Sequence, residues 1–244
     1  MIIGQDNVRE LLLGALYPLT KAENRKPIVI LFYGPSGVGK TETAKYLSEI
    51  LEETLFRKQF SMFQSADFSS YLFGGSHFQN CFARDLLERE SNIILLDEFD
   101  KPHPVFHSAF YQLFDEGVFE DKNYRVEVER AIIICTSNYK SEEDIKQSLG
   151  APVYSRFDTI INFTPLKIDA IKQIISNQFD IQYNSLTESE KKLVDANNLK
   201  DKILSRAANM DNARHIRKVI QEAISITLVR QLIKSEYDSL INNS

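Results

Sequence analysis

Three stretches of the chain are apolar at consecutive positions rather than at alternate ones: Ile28–Tyr33, Ile93–Leu96 and Ala131–Thr136. Short runs of this kind, rich in β-branched residues, predict strands covered on both faces, as in a parallel sheet. Thr159–Phe163 reads as a last strand, closed by Thr164 and Pro165, and Gln59–Phe63 as a strand between the first two runs. Helical spacing fills the intervals. Val8, Leu11, Leu12, Ala15 and Leu16 share a helix face that Pro18 ends, and Ala44, Leu47 and Leu51 share the face of a helix running to about Phe56. Phe82–Glu90 and residues 104–116 predict two more, the second with Val105, Phe106, Ala109, Phe110 and Leu113 inward. Residues 64–80, rich in Ser, Asp, Gly and Asn, read as a loop, and Val118–Val128 alternates about Asp121-Lys122-Asn123 as a hairpin does. From Leu166 onward only helical patterns remain, over Ile168–Phe179, Glu188–Asp195, Leu199–Ala208 and Ala213–Ile233.

Between the first strand and its helix lies Gly34-Pro35-Ser36-Gly37-Val38-Gly39-Lys40-Thr41, the G-x-x-x-x-G-K-T pattern of a phosphate-binding loop. Its glycines permit a tight fold in which successive N–H groups converge on a polyphosphate, and the helix N-terminus adds partial positive charge there. Lys40 is placed for the β- and γ-phosphates of ATP, and Thr41 offers a hydroxyl to Mg²⁺. Asp97 and Glu98 close the second apolar run. A parallel strand delivers its C-terminal end to the ligand crevice, so Asp97 is expected beside Lys40 and Thr41 as a second holder of Mg²⁺, with Glu98 polarising the attacking water. Asn138 follows the third run, where it could orient that water, touch the γ-phosphate or simply form a turn. The fold class expected is therefore α/β: a three-layer P-loop NTPase domain with a mainly parallel sheet over residues 1–165, then a small all-helical lid domain over 166–244.

Composition removes several alternatives. Apolar residues make up 43% of the 244, enough for a packed core. A net charge of -5 argues against a broad nucleic-acid-binding face. No apolar run approaches the roughly 20 residues of a membrane helix, and the N-terminus is not a signal peptide. Cys81 and Cys135 read as buried reduced thiols of a cytoplasmic chain. His103 and His107 stand at a metal-compatible spacing, but no third ligand lies nearby and both are taken as structural.

These motifs, in this order, resemble AAA+ ATPases, and among them the Clp-type unfoldases and disaggregases, most closely their C-terminal ATPase module. The resemblance covers nearly the whole chain. It implies that Ile2 and Ile3, in Ile2-Ile3-Gly4-Gln5-Asp6, line the adenine pocket with their backbone. Thr136-Ser137-Asn138 is similar to the family's first sensor, Ser155-Arg156-Phe157-Asp158 falls at its arginine finger, and Ala213-Arg214-His215-Ile216 resembles its second sensor. Asn138, Arg156 and Arg214 thus join Glu98 as expected catalytic groups, with Arg156 acting in trans within a homo-oligomeric ring, a hexamer in the family. Asn212 stands where the family usually has glycine.

Three departures accompany the match. The chain opens at the adenine motif, so neither a recruiting N-terminal domain nor a first ATPase ring is expected. It lacks the Ile-Gly-Phe or Leu-Gly-Phe loop that docks a peptidase. In place of the family's glycine-aromatic-valine-glycine pore loop stands Phe73-Gly74-Gly75-Ser76-His77-Phe78, in which Phe73 or Phe78 could present an aromatic to a pore, or nothing at all. Two readings follow: a ring ATPase that remodels a protein partner, or a nucleotide-dependent assembly switch that recruits a partner with little threading. A DNA-acting motor suffers from the acidic balance.

Overall fold

The computed structural model describes residues 2–21, 25–62, 65–75 and 79–242. The chain divides into two compact units, Met1–Thr164 and Pro165–Ser244.

The first unit is built on a five-stranded parallel sheet. In chain order its strands are β1 (Ile28–Tyr33), β2 (Phe56–Gln59), β3 (Ile93–Asp97), β6 (Ile132–Thr136) and β7 (Thr159–Asn162), and in space they run β2-β3-β6-β1-β7. The three apolar runs are the three interior strands, each buried at every position. Val29, Leu31 and Tyr33 of β1 pack on one face with Ile94, Leu96, Ile133 and Cys135, while the alternating Ile30, Phe32, Leu95 and Ile134 are buried on the other. Both faces are therefore covered, which is why these strands carry no polar alternation. Outside the sheet, β4 (Val118–Glu120) and β5 (Arg125–Glu127) pair as the expected antiparallel hairpin.

The helices of this unit are α1 (Asp6–Leu16), α2 (Lys40–Ile50), α3 (Ser65–Phe73), α4 (Phe82–Leu87), α5 (Tyr111–Glu116), α6 (Glu142–Leu149) and α7 (Ala151–Tyr154). Four expectations are corrected. The helix after the phosphate loop stops at Ile50, because Glu52 turns the chain with φ +55°, and Phe56–Gln59 is strand. The expected strand Gln59–Phe63 is thereby displaced: Phe60–Met62 is a 3-10 turn, and Phe63 lies outside the described residues. Part of the expected loop at 64–80 is helix α3, whose Phe68, Tyr71 and Leu72 fall at i, i+3 and i+4 and are buried. Finally, Pro104–Phe110 winds as a 3-10 helix before α5, so residues three apart share a face; His107, Phe110 and Leu113 turn inward, and Val105 is 62% exposed. Helices α6 and α7 had no counterpart in the periodicity; Ser141 caps α6 by accepting from Asp144 N–H at 3.1 Å.

One side of the sheet carries an aromatic layer. Phe60, Phe68, Phe82, Phe99, Phe110, Phe114, Phe119 and Phe157 pack edge-to-face or tilted, with Phe82 and Phe119 at 4.8 Å.

The second unit is helical: α8 (Ile168–Asn184), α9 (Glu188–Ala196), α10 (Leu199–Leu204) and α11 (Ala213–Asn242). Ile171, Ile175 and Phe179 of α8 and Ile216, Ile220 and Ile224 of α11 repeat every four residues and form its core with Val194, Leu199 and Ile203. Thr187 and Glu190 close a capping box at the start of α9.

Candidate nucleotide site

The phosphate loop begins where β1 ends. Gly34, Gly37 and Gly39 adopt φ of +131°, +76° and +112°, a region that residues with a Cβ rarely visit. Gly34 has a second reason to be glycine: a Cβ there would come within 2.1 Å of the Phe163 carbonyl oxygen. The loop closes on its own lysine. Lys40, first residue of α2, donates from Nζ to the carbonyls of Gly34 and Pro35, both at 2.7 Å, and to Asn138 Oδ1 at 3.1 Å. The expected sensor asparagine at the tip of β6 thus meets the loop lysine.

Asp97 ends β3 and is 4% exposed. Thr41 Oγ1 donates to its Oδ1 at 3.3 Å, and Thr136 Oγ1 donates to the same oxygen at 2.5 Å. Thr136 in turn accepts from Glu98 N–H at 3.0 Å, so one hydroxyl joins the two carboxylate residues to β6. Glu98 has φ +58°, and its Oε2 accepts from Gln59 Nε2 at 3.1 Å. Arg57 pairs with Asp97 Oδ2 through Nη2 at 2.5 Å and Nε at 3.1 Å.

Arg57, Gln59 and Thr136 were not among the site residues read from sequence. Arg57 and Gln59 lie two apart on β2 and so face the same way, with Gln59 opposite Asp97 in the register. The signal was there, but it depended on knowing that Phe56–Gln59 is a strand. Gln5 was also missed. It is buried, donates to Thr164 O at 2.8 Å and Val38 O at 3.3 Å, and accepts from Thr164 N–H at 3.1 Å. Gln5 thereby ties the opening motif to the loop and to the end of the sheet. Ile2 lies against the loop too, its Cγ2 3.3 Å from where a Cβ on Gly39 would stand; Ile3 is half-buried.

The remaining expected residues lie elsewhere. Arg156 follows α7; its Nε donates to Asp115 at 2.8 Å, and its guanidinium sits 4.2 Å above the Tyr111 ring. Arg214 is exposed in the first turn of α11, in the helical unit. Phe73 ends α3 and is 40% exposed, while Phe78 lies outside the described residues. The hairpin reaches the same stretch: Lys122 N–H meets Phe73 O, and Asn123 Nδ2 meets Gly75 O, both at 3.4 Å. His103 caps the 3-10 helix by accepting from Val105 N–H, and His107 Nε2 lies 2.8 Å from Phe99 O.

The site fits a magnesium nucleotide on its own geometry. The positive-φ glycines let the loop fold back on Lys40, whose ammonium bonds the Gly34 and Pro35 carbonyls at the start of α2, a cation and a helix N-terminus suited to phosphate. Thr41 and Asp97 place a hydroxyl and carboxylate oxygens together, the hard donors Mg²⁺ takes. Among the described residues no group of three or more His, Cys, Asp or Glu gathers into another metal site.

A family model described as AAA domain (Cdc48 subfamily) matches residues 25–207. The chain belongs to the AAA family. Within it, this ATPase module is similar to part of the Clp proteins. The module is 27% identical to chaperone protein ClpB of Malacoplasma penetrans over 235 residues, covering 87% of the chain and 33% of that protein. It is 30% identical to the ClpA homolog protein of Fuscovulum blasticum over 271 residues, covering 96% of the chain and 33% of the relative. The module thus spans about a third of the length of these curated relatives. Its fold is similar to a closed-state cryo-EM reconstruction of Hsp104 with ATPyS and FITC casein, with a TM-score of 0.78 at 23% identity, covering 96% of this chain and 46% of that one.

Proposed function

We propose that this module binds ATP with Mg²⁺ in the Gly34–Thr41 loop, hydrolyses it, and assembles in a ring in which hydrolysis remodels a protein partner. One observation carries the reading: at the start of α2, Lys40 bonds Asn138 beyond β6, and the adjacent Thr41 bonds Asp97 at the end of β3, which Thr136 joins to Glu98. Lys40 neutralises phosphate charge. Thr41 and Asp97 hold Mg²⁺, which offsets the charge developing on the phosphates. Glu98 takes the proton of the attacking water, and Asn138 orients that water beside Lys40. Ile2 and Ile3 line the adenine side with their backbone. Arg156 serves the neighbouring subunit's nucleotide, Arg214 acts as the second sensor, and Phe73 or Phe78 contacts the threaded partner. The setting is cytoplasmic; no helix among the described residues is long and apolar enough to cross a membrane. A second reading, the assembly switch, draws support from the hairpin, whose bonds to Phe73 and Gly75 tether the stretch that would otherwise grip a partner.

ATP turnover measured together with particle size, with and without nucleotide, tests this. Glu98→Gln is expected to keep ATP binding and lose on the order of 10²-fold or more in turnover. Arg156→Ala is expected to bind ATP and hydrolyse it poorly, and mixing it with Lys40→Ala is expected to restore some activity at interfaces with one intact site and one intact finger. A wild-type chain that hydrolyses ATP as a strict monomer, at a rate per chain independent of concentration, rules out the trans role. Remodelling retained in both Phe73→Ala and Phe78→Ala rules out gripping by these aromatics.

A further inference from the structure

An imidazole stands inside the aromatic layer. His107 is 2% exposed, and its ring lies 4.6 Å from that of Phe99, which also packs on Phe60, Phe110, Phe114 and Phe157. A phenyl ring would bury here without desolvating ring nitrogens. What the imidazole adds is one bond: Nε2 lies 2.8 Å from the Phe99 carbonyl oxygen. A carbonyl only accepts, so the proton is on Nε2 and the ring donates.

Phe99 is the residue after Glu98, and Glu98 is in the left-handed region with φ +58°. A non-glycine residue persists there only when its surroundings hold it. Glu98 N–H bonds Thr136 Oγ1 at 3.0 Å, Phe99 N–H bonds Thr136 O at 2.8 Å, and Lys101 N–H bonds Glu98 O at 3.0 Å. These anchor the amide side of Phe99. His107 anchors its carbonyl side, so both peptide planes flanking Phe99 are fixed and the strain at Glu98 has no route to relax through its neighbour.

We propose that His107 is a positioning residue for the hydrolytic step: by holding the Phe99 carbonyl it keeps Glu98 in the left-handed turn that sets its carboxylate. The inference rests on Glu98 being the base. It concerns kcat and not ATP affinity, because His107 reaches the turn and not the phosphate loop.

The test compares wild type, His107→Phe, His107→Gln and Glu98→Gln. Phenylalanine suits the aromatic layer and lacks the donor; glutamine is smaller and carries an N–H donor at the position of Nε2. His107→Phe is expected to lower kcat roughly tenfold to a hundredfold, the cost of a misplaced catalytic group, with KM and ATP-dependent thermal stabilisation unchanged. His107→Gln is expected to recover most of that loss. Amide hydrogen exchange of the nucleotide-free chain gives a readout independent of turnover: protection at Glu98 and Phe99 is expected to fall in His107→Phe and return in His107→Gln. If Glu98→Gln is inactive while His107→Phe stays within twofold of wild-type kcat, the positioning role is wrong although the base is right. If His107→Gln is as impaired as His107→Phe in both readouts, the bond is not what matters and the proposal falls. If Glu98→Gln keeps full turnover, the reading of Glu98 fails and the proposal with it.

Discussion

Replacing Gly34 by alanine tests the loop where its geometry is most exacting. Two costs add. The backbone sits at φ +131°, and holding a residue with a Cβ in so sparsely populated a region costs about 1–3 kcal/mol. The new methyl would also stand 2.1 Å from the Phe163 carbonyl oxygen, well inside the 3.0 Å that real Cβ atoms keep. That carbonyl cannot swing aside freely, because Phe163 N–H bonds Tyr33 O at 2.8 Å and its ring packs on Phe32 at 5.0 Å. Forcing a shift in a packed core adds about 1–3 kcal/mol, for about 2–6 kcal/mol in total. A domain has about 5–15 kcal/mol to lose, and each kcal/mol moves the midpoint of a unit this size by about 2–4 °C. Thermal unfolding followed by circular dichroism should therefore fall by at least about 4 °C. The ATP-dependent rise in midpoint should shrink too, since the Gly34 carbonyl is one of the groups that place Lys40. Gly14→Ala is the matched control. It lies within α1, nothing stands within 4 Å of its added Cβ, and alanine there should stabilise by about 0.5–1 kcal/mol. A Gly34→Ala chain with unchanged midpoint and full ATP response would refute the argument.

Two further outcomes follow from the same network. Arg57→Leu leaves buried Asp97 without its guanidinium; the loss of a fully buried partner costs about 3–5 kcal/mol, and since the Arg57 side chain is 38% exposed, about 1–3 kcal/mol is expected by urea denaturation without nucleotide. An unchanged denaturation midpoint would show that Thr41 and Thr136 suffice to hold Asp97. Burial lowers the His107 pKa below its ordinary 6.5, so the unfolded chain takes up that proton at a pH where the folded chain does not. Its contribution to stability is complete above about pH 6.5 and is lost as pH falls towards the folded value, with a slope of at most about 1.4 kcal/mol per pH unit. His107→Phe should remove that slope; identical slopes in the two proteins would exclude His107 as its source.

The sequence by itself determined the three interior strands and the phosphate loop. A strand covered on both faces has no polar position, so Ile28–Tyr33, Ile93–Leu96 and Ala131–Thr136 announce themselves without neighbours. The loop is legible for a local reason too, since its glycines answer to their own φ angles. The change to helices only after Leu166 was equally plain, because four-residue apolar repeats are a property of each helix alone. Tertiary structure decided the rest. Phe56–Gln59 is strand because β3 offers it hydrogen bonds at the sheet edge, which its polar residues do not advertise. The Phe68, Tyr71 and Leu72 face of α3 is hidden among Ser and Gly, and its burial beneath the aromatic layer outweighs their loop preference. The contacts that shape the site join distant residues: Arg57 to Asp97, Gln5 to Thr164, His107 to Phe99 and Arg156 to Asp115. No local pattern encodes such a pair, because each partner acquires its role only when the sheet brings the other within hydrogen-bonding distance.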